Sequence, residues 1–207
     1  RPHFMAAGNL LETKQALHMS YAFFSRDYYF YDSLVVQGSA LFTRYPVLSS
    51  GRIRLTADPV SPHVIYADVL VKGDTLRVMT THLQSFGLDS TDYRNLESIK
   101  QVKRGIMASL SGIIDKFRMI FLLQNRQAAR LAQVVKQSPH PVILCGDFNS
   151  VPNAYTYFTA RGNLQDAFLK KGHGIGTTYY RLSSTLRIDY IFADPLLEIP
   201  SCHVISE

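Results

Sequence analysis

The sequence contains no tryptophan and only two cysteines in 207 residues. Cys145 lies in an apolar run and Cys202 near the end, so neither a disulfide framework nor a cysteine-rich metal site is signalled. Long apolar stretches are missing too. Met119-Ile120-Phe121-Leu122-Leu123 falls far short of the ~20 residues needed to span a bilayer, and no signal-peptide pattern opens the chain. These features predict a soluble domain and leave its compartment open. Acidic residues are outnumbered, with 16 Asp and Glu against 22 Lys and Arg, for a formal charge of +6. That excess suits an anionic partner such as nucleic acid, a phospholipid head group or a phosphorylated metabolite, and equally suits solubility alone. The basic residues are scattered, with Arg52 and Arg54 in one expected loop and Lys170 and Lys171 in another, so no nucleic-acid arm is marked. There is no Gly-x-Ser-x-Gly elbow, no His-Glu-x-x-His and no Walker loop. Gly172-His173-Gly174-Ile175-Gly176 neither follows a strand nor opens a helix, as a dinucleotide loop must.

What is present reads as one mixed α/β domain over residues 1–207, without internal repeats or a linker. Twelve Tyr and twelve Phe supply the bulk for a sheet-rich core. Leu10 to Phe24 predicts a short helix running into a strand, and Tyr28 to Tyr31 and Val35 to Arg44 predict strands. Tyr45-Pro46 and Ser49-Ser50-Gly51 read as punctuation. Val64 to Val71 and Thr75 to Leu83, split by Lys72-Gly73-Asp74, predict a hairpin. Ser90 to Leu110 and Ile113 to Lys136 have helical spacing, the second ending before Ser138-Pro139-His140-Pro141. Pro141 to Cys145 predicts a strand buried on both faces, followed by a short helix near Ala154 to Arg161 and a strand over Leu186 to Ala193.

Three segments carry chemistry. Gly146-Asp147-Phe148-Asn149 leaves the apolar strand with a carboxylate and an amide two residues apart. The carboxylate suits a hard cation or an attacking water, and the amide suits a phosphate oxygen. An Asx-type turn, with both side chains capping backbone groups, is the competing reading. His82 closes a strand, where it could act as a general acid or donate to a developing phosphate charge, or merely mark the solvent boundary. Asp189 sits in an otherwise apolar strand and therefore needs a partner, either a catalytic histidine or a structural ion pair with Arg187 or another basic group.

In this order and spacing the segments resemble the endonuclease/exonuclease/phosphatase superfamily. Gly38-Ser39-Ala40-Leu41-Phe42-Thr43-Arg44-Tyr45-Pro46 and Val151-Pro152 add to the likeness, which runs from about Tyr28 to Ala193. The resemblance implies a four-layer αββα sandwich of two packed sheets, with the site at one end. It implies Mg²⁺, or Mn²⁺, and in-line hydrolysis of a phosphodiester or phosphomonoester, in nucleic acid, a phospholipid head group or an inositol phosphate. Asp147 would hold the metal or the attacking water, Asn149 the scissile phosphate and His82 a phosphate oxygen, while Asp189 would orient a histidine. No protein partner is implied, and a monomer is expected. Two family elements have no counterpart: a metal-binding Glu, for which the helical Glu12 is a poor substitute, and a closing Ser-Asp-His, which His203 does not supply. The chain is thus expected to lack both ends of that domain and, as it stands, to hydrolyse negligibly. An inactive family member that binds anionic ligands or nucleic acid is the alternative. Selectivity is expected in residues 84–112 and 166–185.

Overall fold

The computed structural model describes residues 7–26, 28–30, 35–57, 61–87, 107–180 and 183–205. In chain order these form α1 (Ala7–Ala16), β1 (Tyr21–Phe24), β2 (Tyr28–Phe30), β3 (Val35–Gln37), β4 (Ala40–Thr43), β5 (Val47–Arg54), β6 (His63–Val71) and β7 (Asp74–His82). Then follow α2 (Met107–Lys136), β8 (Val142–Asp147), α3 (Tyr155–Arg161), β9 (Gln165–Asp166), α4 (Ala167–Lys171) and β10 (Asp189–Ala193). The expected mixed α/β architecture of two packed sheets is what forms. A six-stranded sheet has the order β5-β6-β7-β8-β10-β9, β1 pairs with β4, and β2 pairs with β3.

The predicted hairpin is β6–β7, closed by a two-residue turn in which Lys72 and Gly73 both take positive φ. That turn matches the right-handed twist of the paired strands. β7 then runs parallel to β8, which requires a crossover, and α2 provides it. Ala128, Leu131 and Val134 of α2 pack on Val64, Met79, Val142, Leu144 and Phe192 of the sheet. Phe148, Tyr157, Tyr190 and Phe192 interlock at ring separations of 5.0–5.6 Å, the bulk that a tryptophan-free core needs.

Three expectations are corrected. Ser49-Ser50-Gly51 is not punctuation but the middle of edge strand β5, so Arg52 and Arg54 lie on a strand rather than in a loop. Gly51 pairs with Tyr66, whose ring occupies the space a Cβ would need, and the aromatic shields a weak strand position. β8 is not buried on both faces: Val142 and Leu144 are buried, whereas Ile143 and Cys145 are only half-covered. Finally, Arg187 does not pair with Asp189. Its guanidinium binds Asp166 at 2.9 and 3.0 Å with both side chains almost wholly buried. The helix predicted over Ser90 to Leu110 falls within the described residues only from Met107 onward, where α2 begins.

Asp166 is a hub. Its carboxylate also accepts from Tyr157 Oη at 2.8 Å and from the amides of Phe168 and Leu169, capping α4. Burial, then Asp166, push the Tyr157 hydroxyl up to about 12. Arg187 stacks over Phe168 and Tyr190. A buried ion pair is costly to break from one side. Arg187→Leu is therefore expected to cost ~3–5 kcal/mol, read as a lower denaturation midpoint in urea.

Candidate functional site

The parallel β7–β8 ladder sets His82 opposite Asp147, and the antiparallel β8–β10 ladder sets Asp189 opposite Asp147 from the other side. Directly paired residues project from the same face of a sheet, so all three side chains rise in a row across its end. His82 Nε2 stands 3.6 Å from Asp147 Oδ2, beyond hydrogen-bond length but within ion-pair reach. The imidazole is exposed at 60% and the carboxylate half as much, at 30%, so the row opens to solvent.

Gly146 makes the approach of the ladders workable. At φ 148° its missing Cβ would lie 1.9 Å from the carbonyl oxygen of Thr81 on β7. Any other residue there would push β8 off the strand that carries His82. Beyond the strand, Asp147 Oδ1 accepts the Asn149 amide at 2.7 Å, an Asx turn that allows Asn149 a positive φ. Asn149 Nδ2 donates to Leu83 O at 3.0 Å, tying the end of β8 to the end of β7. One oxygen of Asp147 and one proton of Asn149 are thus engaged in the turn, and Asp147 Oδ2 is left facing His82.

Electrostatics follow from the row. Burial pushes the Asp147 carboxyl up, the Asn149 amide and His82 pull it down, and the like charge of Asp189 raises it again. Asp189 is also pushed up by its surroundings, although water reaches it, while the Thr178 hydroxyl and His82 pull it down. Thr178 Oγ1 accepts from the amides of Ile188 and Asp189, which fixes the entry to β10. Asp189 is therefore a solvent-facing strand start, and no buried acid has to be neutralised. Cys145 cannot serve as a ready nucleophile, because burial raises its thiol and Sγ is engaged with Met79 O.

Two side chains that sequence reasoning passed over brace this end. Gln124 and Gln127 of α2 are fully buried. Gln127 Oε1 accepts the Gln84 amide at 3.0 Å, and Gln124 Nε2 donates to Gln84 O at 2.7 Å and to Asn149 O at 3.1 Å. The helix thereby holds the segments following both β7 and β8. A signal was present: two amides interrupt the apolar stripe of Phe117, Phe121, Ala128 and Leu131. His203, set aside from its sequence context, lines the same cleft as Asp147 and Asp189, whereas Glu12 is an exposed residue of α1.

Among the described residues, no group of three or more His, Cys, Asp or Glu side chains is placed to hold a metal ion. What the row offers is a pair of carboxylates, hard oxygen donors of the kind that bind Mg²⁺ alongside waters and substrate phosphates.

A mixed sheet with carboxylates and an imidazole at one end defines a class of fold, and the sequence agrees with it. The profile of the Endonuclease/Exonuclease/phosphatase family matches residues 5–207, and the chain belongs to that family. Among solved structures, the family protein from Bacteroides vulgatus is similar at 15% identity and a TM-score of 0.61, over 99% of this chain and 76% of that one. Sphingomyelinase C from Streptomyces griseocarneus is similar at 17% identity and a TM-score of 0.59, over 97% and 72%. The human Nocturnin catalytic domain is similar at 19% and 0.55, over 89% and 64%. Identities this low establish the fold alone. The chain spans about two thirds of the length of several solved chains it matches. No curated protein matches it by sequence.

The brace leads to a measurable expectation. Gln127→Leu leaves the Gln84 amide without its acceptor, at a cost of ~1–3 kcal/mol. Hydrogen exchange should show the Gln84 amide losing protection while the β6–β7 amides keep theirs.

Proposed function

We propose that the protein carrying this domain hydrolyses a phosphoester by in-line attack of water, with Mg²⁺ or Mn²⁺ as cofactor. The observation that supports this most is the row of His82, Asp147 and Asp189, set by strand register at one end of the sheet in a family named for such chemistry. Asp147 would hold the cation, which when bound would neutralise phosphate charge and stabilise the leaving oxygen. Asp147 would also orient the attacking water. His82, exposed beside it, would donate from Nε2 to a non-bridging phosphate oxygen. Asn149 has a second Nδ2 proton for the same phosphate, beyond the one given to Leu83. Asp189 would orient an imidazole serving as the acid–base partner. The net charge of +6 favours approach of an anionic ester.

Asp147→Asn separates the site from the scaffold. It is expected to lower turnover of an aryl phosphodiester ~10²–10⁴-fold in the full-length protein. The mutation should not harm the fold at neutral pH. A carboxyl whose folded pKa is raised stabilises the native state below its unfolded pKa, and that contribution is lost as pH rises through the folded value. The wild type should therefore lose stability across the upper carboxylate range, and the variant should lose less. Denaturation midpoints followed against pH, with and without Mn²⁺, check this: the cation should restore the wild type and leave Asp147→Asn nearly unchanged. Anion binding without turnover in the full-length protein would instead mark a binding module.

A further inference from the structure

Beside Asn149 the molecule has a second concavity that the hydrolytic reading leaves unused. It is a cavity of about 140 Å³ whose walls include Phe86, Phe121 and Tyr179, with Val151, Leu186 and Ile188 completing the apolar lining. Phe86 is held edge-to-face by Phe117 at 5.0 Å and Phe121 at 5.2 Å, so this wall is built before any ligand arrives. The facing wall is fixed as well. The Tyr179 amide donates to Leu186 O at 3.0 Å, bridging the two residues. The backbone behind Asn149 is pinned by Gln124. We infer that this cavity is a subsite for one flat heteroaromatic ring, of nucleobase type, carried on the ester whose phosphate meets the carboxylate row.

The inference rests on the proposed hydrolysis for its phosphate, and on the cavity for everything else. An apolar cavity of about 150 Å³ takes one benzene-sized ring. A fatty acyl chain would leave most of its length in water. An inositol or hexose ring would bury hydroxyls against walls that offer few partners, at a desolvation cost. Aromatic walls favour a flat ring over a branched aliphatic group, because stacked and edge-to-face contacts add to burial. The polar side chains at the cavity are Ser85, Asn149 and Ser150. Ser85 Oγ accepts the Gly87 amide at 3.3 Å and keeps its own proton for a ring nitrogen or exocyclic oxygen. Asn149 joins the two parts of the site, since it lines the cavity while its amide holds Asp147.

The test separates ring from phosphate. Adenosine and thymidine, uncharged and without phosphate, are titrated by ligand-observed NMR alongside choline, myo-inositol and inorganic phosphate. Nucleosides should bind in the millimolar range, and Val151→Phe, which fills the cavity, should weaken them at least tenfold while leaving inorganic phosphate unchanged. Phe121→Ala, at a partly exposed position that tolerates truncation, should weaken them severalfold. Nucleosides that do not bind, that bind the filled variant equally well, or that bind more weakly than choline or inositol overturn the inference. Hydrolysis provides the second arm. Turnover of a thymidine 5′-phosphodiester that exceeds that of a methyl phosphodiester, with the excess lost in Val151→Phe, supports it. Equal rates on both esters sink the ring subsite and keep the hydrolase. Ring binding without turnover of any ester sinks the hydrolase and keeps the subsite. A phenyl ester matching the thymidine ester would reduce the ligand to a plain aryl group and remove the nucleobase assignment.

Discussion

The position of β8 between a parallel and an antiparallel neighbour is the constraint on which the rest of the molecule depends. Register on its two sides is set independently, by the crossover to β7 and by the return of β10, and both registers meet at Asp147. A slip of one residue on either side would turn His82 or Asp189 to the opposite face. Gly146 prevents such slippage sterically, because only a residue without a side chain can lie against the Thr81 carbonyl. The site is thus a property of strand pairing before it is a property of any one residue.

Facing carboxylates work against the fold, and the surroundings compensate in two places. Below the row, Asp166 collects Arg187, Tyr157 and two helix amides, so the segment that delivers Asp189 starts from a buried, well-tied anchor. Behind the row, Gln124 and Gln127 clamp the segments that leave β7 and β8. Neither cluster touches the exposed face of His82. Both act by removing freedom from the backbone that carries the polar groups, which is how a scaffold can hold charges close together without letting them relax apart.

Much of this was legible in the sequence, for definite reasons. The β6–β7 hairpin was visible because Lys72-Gly73 suits one turn type, and the end of α2 because Pro139 and Pro141 forbid its continuation. The chemistry was legible as motifs because strand ends concentrate it: His82, Asp147 and Asn149 all lie where an apolar run stops. Pairings between distant segments were not legible. A pair between Arg187 and its sequence neighbour Asp189 was one of two readings, and Arg187 instead binds Asp166 across the sheet edge. β5 was hidden because an edge strand tolerates the exposed Ser49 and Ser50 and a Gly51 covered by Tyr66, and β9 because two residues carry no period. The buried amides were overlooked because periodicity counts them as interruptions, although partners outside the helix are what make them permissible there.

The crossover has a consequence for how the protein comes into being. His82 and Asp147 are neighbours in space but are separated along the chain by 64 residues, all of α2 among them. During synthesis the β5–β6–β7 meander can form from local contacts, yet its open β7 edge must wait for β8 to emerge and slot in parallel, and β8 in turn waits for β10. That leaves a growing chain with an unpaired, apolar ribbon for the interval, a template for association with other chains. The end of the sheet that carries His82 and Asp147 therefore closes only after the long crossover is complete, and a chain released before then would be prone to aggregate.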